Sequence, residues 1–102
     1  MFGLKSLKDF AGKMAEDIER TVPADRLNKD RSYFTLSKIT KELERTLNLA
    51  QAYKSEKKLG YIKIAYLANS FRWTLHDKGY PKDFIDIATE GLVVQLTKRK
   101  IP

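Results

Sequence analysis

A chain of 102 residues is the size of one domain, long enough to bury a modest core without metal or disulfide staples. It contains no cysteine, which excludes disulfide scaffolds, thiolate metal sites and cysteine nucleophiles together. The net charge of +7 is uneven: residues 1–30 balance six basic against six acidic side chains, whereas in residues 31–60 seven basic and three acidic side chains leave +4. Such a surplus suits nucleic acid, anionic lipid or an acidic protein.

Lys5, Lys8, Asp9 and Lys13 interrupt any secretory apolar core, and no apolar run is long enough to span a bilayer, so the expected location is the cytoplasm. Periodicity predicts an opening helix over residues 1–20, in which Leu4, Leu7, Ala11, Met14 and Ile18 alternate spacings of three and four while Phe10 widens the stripe. Pro23 disfavours helix in the residue before it. Residues 21–31 therefore read as a polar connector, with at most one short turn of helix starting at Pro23.

A second helix is expected over residues 32–58, capped by Asp30 or Ser32, with an apolar stripe of Leu36, Ile39, Leu43, Leu47, Ala50 and Tyr53. The third, over residues 60–78, is apolar nearly all round, with Lys63, Ser70, Thr74 and Asp77 as its one narrow polar strip. Such a helix belongs at the centre of a fold or under another subunit. Gly79 supplies a left-handed stop, and Pro81 opens a fourth helix over residues 81–98, whose early aspartates and late basic residues match its dipole. "GYIK" at Gly60 and "GYPK" at Gly79 are reused turn chemistry, since the residues after them do not correspond.

The opening helix carries its charges the wrong way round for the dipole: Lys5 and Lys8 early, Glu16, Asp17 and Glu19 late. Its order must come from burying the apolar stripe, and three destinations are open. The stripe packs on its own domain, or Leu4, Leu7, Phe10, Met14 and Ile18 dock a partner protein or second copy, or residues 1–13 lie on an anionic membrane. Lipid is the weakest, because the helix as a whole is neutral.

A second candidate surface is basic. Arg31, Lys38 and Arg45 are seven apart with Lys41 beside them, and Lys54, Lys57 and Lys58 extend the charge. The face either tracks phosphates in a salt-sensitive way or is simply solvated and balanced by Glu42 and Glu44. Tyr66, Arg72, Trp73 and Tyr80 would stack on unpaired bases if exposed; on so apolar a helix the aromatics are expected in the core. His76 beside Asp77 makes no acid–base dyad, because helix neighbours do not face each other. The terminal basic residues from Lys98 onward complement a helix dipole.

The expected fold is all-α, a single small domain of four main helices with a largely buried central third helix. The expected function is non-enzymatic, a protein-interaction or regulatory module with a protein partner or self-association. Nucleic-acid binding is the alternative and peripheral membrane association a distant third. No cofactor, metal or small-molecule ligand is implied.

Overall fold

A computed structural model describes residues 4–30, 32 and 34–97. The described residues form an all-α globule of five helices: α1 (Leu4–Thr21), α2 (Ala24–Lys29), α3 (Leu36–Lys57), α4 (Tyr61–Asp77) and α5 (Lys82–Thr97). No described residue lies in a strand, and no described helix is long and apolar enough to cross a membrane.

The four long helices form a ring whose spatial order differs from the chain order. α1 packs on α3 and α4, and α5 packs on the same two, while α3 and α4 lie diagonally. Pairwise contacts fix the directions. Phe10 stacks on Tyr53 at 4.0 Å and Asp17 meets Thr46, so α1 and α3 run opposite ways. Glu19 meets Lys78 at 3.2 Å, while Leu7 and Lys63 line one cleft near the other ends, so α1 and α4 run together. Arg72 meets Asp86 and Tyr61 shares a cleft with Leu96, so α4 and α5 are opposed.

Helix ends follow local chemistry. α3 starts later than residue 32, because Thr35, not Asp30 or Ser32, is its cap: the extended Thr35 accepts from the Lys38 amide at 3.3 Å. Leu36 consequently sits at the helix tip, 66% exposed, and does not join the apolar stripe beneath it. Both α3 and α4 end in a left-handed residue whose successor donates back to the last turn: Leu59 to Lys54 at 3.2 Å, and Tyr80 to Leu75 at 3.2 Å. At Gly79 (φ 91°) that conformation is free, whereas Lys58 (φ 53°) adopts it with a side chain and without glycine's freedom.

The connector is less polar in function than in composition. Val22 and Leu27 are fully buried, α2 forms within it, and Asn28 Nδ2 donates to Gly79 O at 3.1 Å. Tyr80 OH donates to Val22 O at 2.6 Å, which ties the connector to the turn before α5. Burial, reinforced by the negative charge of Glu19, pushes the Tyr80 phenol well above its ordinary value, so it remains a donor.

The core is continuous through all four long helices, with Leu7, Met14 and Ile18 of α1, Leu43 of α3, Leu67, Phe71 and Leu75 of α4, and Phe84, Leu92 and Leu96 of α5. Gly91 lets α3 approach closely, since a Cβ there would stand 3.2 Å from Leu47 Cδ1. One buried hydroxyl, Thr89 Oγ1, finds no hydrogen-bond partner among the described residues. Thr89→Val replaces that hydroxyl with a methyl of similar shape and should raise unfolding free energy by about 0.5–1.5 kcal/mol in urea denaturation.

Candidate functional site

The opening stripe belongs to the domain's own core. Leu7, Met14 and Ile18 are each 1% exposed, and Leu4 and Phe10 pack partly buried against the same cluster. α4 covers one side of the stripe and α3 the other, so a partner would have to dismantle the bundle to reach those three side chains. The residues that read as a docking face are therefore seated inward, and the first of the three destinations is the one found. Residues 1–3 lie outside the described part of the chain.

Sequence reading missed a polar contact at this seam. Asp17 is 8% exposed, accepts a 2.6 Å hydrogen bond from Thr46 Oγ1 and lies 3.5 Å from Arg45 Nη2. The available signal was position: Asp17 follows Phe10 by two helical turns, on the flank that Phe10 adds to the stripe. Beside it, a cleft of about 520 Å³ opens between α1 and α3, lined by Phe10, Lys13, Asp17, Leu49, Tyr53 and Glu56 among others. Its charges are mixed and already adjacent, so it presents no single sign to a ligand.

The basic residues are only partly gathered. Lys38, Lys41 and Arg45 share the outward face of α3, opposite the buried Ile39, Leu43 and Ala50. Lys54 and Lys57 fall on another side, at the clefts around Leu59, and Lys58 is the left-handed residue ending the helix. Arg45 leans toward Asp17, and Lys38 Nζ lies 5.9 Å from the Phe34 ring centre. Arg31 lies outside the described residues. The six described residues thus make a three-residue patch and a separate cluster, not one continuous phosphate track.

The outward face of α4 is the surface the sequence reading misjudged. Its buried row is Ile64, Leu67, Ala68, Phe71 and Leu75, as expected for a central helix. The exposed strip is wider and less polar than Lys63, Ser70, Thr74 and Asp77. Ile62 is 87%, Tyr61 65% and Trp73 54% exposed, with Ala65, Asn69 and His76 open beside them. Tyr80 is in the core and Tyr66 half-buried, but Trp73 is not core. Its ring meets His76 edge-on at 5.4 Å. α1 flanks the strip on one side and α5 on the other, and neither reaches over it.

Along the α5 flank, Trp73 and His76 border a cleft of about 480 Å³ with Arg72, Tyr80, Lys82 and Ile85. Arg72 Nη2 and Lys82 Nζ both donate to Asp86, at 3.0 and 3.1 Å. The Lys82 hydrogen bond, helped by both positive charges, holds the Asp86 carboxyl below its ordinary range. Those two cations are therefore partly engaged by one carboxylate. His76 Nδ1 lies 3.6 Å from Asp77 Oδ1, both well exposed, with no nucleophile attached. Among the described residues no group of three or more carboxylate or histidine side chains is placed to hold a metal ion. Compared with known protein families, curated proteins and solved structures, the chain matches none.

Proposed function

We propose that the protein is a non-enzymatic protein-interaction module, and that it binds through the outward face of α4. One observation carries this reading: Ile62 and Trp73 stand exposed on one face of α4, where a small domain normally places polar side chains. An exposed Trp beside Arg72 has the composition of an interface anchor. The opening helix contributes by building the core that presents this face. Nucleic-acid binding has weaker support, since Lys54, Lys57 and Lys58 diverge from Lys38, Lys41 and Arg45.

Ile62→Asp tests the reading cleanly. Ile62 is in the first turn of α4, where a negative charge suits the dipole, and an 87% exposed side chain contributes little to folding. Purified wild type and variant, both checked by circular dichroism, are compared for self-association by sedimentation and for nuclease-resistant capture of other proteins. Loss of association in the variant, with little dependence on salt, supports the reading. Association that disappears with nuclease and falls steeply with salt, yet ignores Ile62→Asp, would move the function to the basic face of α3.

A further inference from the structure

We infer that the occupant of this face is a second copy of the same chain, its α4 antiparallel to the first about a two-fold axis at Asn69. This rests on the interaction reading above and specifies the partner. Asn69 lies at the middle of the exposed strip, Ala65 four residues before it and Trp73 four after, Ile62 seven before and His76 seven after.

A two-fold axis at Asn69 brings Trp73 of each copy level with Ala65 of the other, so that the largest side chain of the strip lies beside the smallest. Ile62 then meets the Trp73–His76 edge-packed pair, which forms one broad ring surface. The two Asn69 amides face each other, and an amide both donates and accepts, so the pair can bond to itself and fix the register.

The charges obey the same symmetry. Lys63 and Asp77 lie on one flank of the strip, near opposite ends of α4, and both are exposed. The two-fold axis keeps flanks together and reverses ends, which brings Lys63 of each copy to within about 3 Å of the level of Asp77 in the other. Two ion pairs result. A parallel pairing would instead oppose Lys63 to Lys63, Asp77 to Asp77 and Trp73 to Trp73. The Arg72–Asp86–Lys82 cluster on the other flank is bonded within one chain, so it adds no large field of one sign.

The absence of cysteine makes the test direct. Asn69→Cys introduces a single thiol at the axis, and mild oxidation of the full chain should give a disulfide-linked dimer, whereas Glu44→Cys on the outer face of α3 should not. By sedimentation equilibrium, Lys63→Glu should weaken the dimer by about three- to ten-fold, and Lys63→Glu with Asp77→Lys should restore it. Both substitutions suit their ends of the helix dipole, so folding is retained. A monomer at every concentration, equal cross-linking of the Glu44→Cys variant, or a double variant no better than the single overturns the two-fold pairing. If the monomer nevertheless captures another protein and loses it with Ile62→Asp, the interaction reading survives alone. If Ile62→Asp changes neither kind of association, both fail.

Discussion

Met14→Asp is expected to leave the chain unfolded at 25 °C. Met14 is 1% exposed in the seam where α1 meets α3 and α4. Losing its packing costs about 2–5 kcal/mol. The new carboxylate would either be buried without a partner or open the seam to water, at a cost of several kcal/mol more. Together these approach or exceed the roughly 5–15 kcal/mol that holds a domain of this size together. Lys13→Asp, one residue away and exposed, should change stability by only about 0.5 kcal/mol. Circular dichroism melts and urea titrations of the two variants check the contrast. Two similarly folded variants would mean that α1 is not seated as described.

The second large effect belongs to Phe71→Ala, expected to cost about 3–5 kcal/mol in urea denaturation. Phe71 is fully buried on the inward row of α4, in the core cluster to which α1 and α5 also contribute. The cavity left behind is bounded by three helices, which cannot all collapse into it. Trp73→Ala, on the same helix, should cost less than about 1 kcal/mol at concentrations where the chain is monomeric, because the indole is more than half exposed. If the two aromatics proved equally costly, the inward and outward faces of α4 would have to be exchanged.

That comparison marks what was legible in the residues and what was not. Helical spacing identified all four long helices, and Gly79 and Pro81 correctly separated α4 from α5. Spacing reports that a face is apolar, not what covers it. The same pattern therefore served for Met14, which is core, and Ile62, which faces solvent. The start of α3 was misjudged because Asp30, Ser32 and Thr35 all carry capping oxygens, and the backbone conformation at Thr35 decided among them. The Asp17–Thr46 bond joins residues 29 apart, so no local pattern announces it. Spacing along the chain groups the basic residues of α3, whereas their directions around the helix divide them.

The crossed order of the ring has a consequence during synthesis. α1 has its largest interface with α4, and the whole of α2 and α3 is made between them. A nascent chain that has released only its first three helices offers α1 a single wall, and the second wall emerges later from the ribosome. α3 waits in the same way for α5, made after α4. Neither early helix can complete its burial with its immediate neighbour in the chain, so firm structure arrives late and nearly all at once, when α4 and α5 slide in to close both gaps.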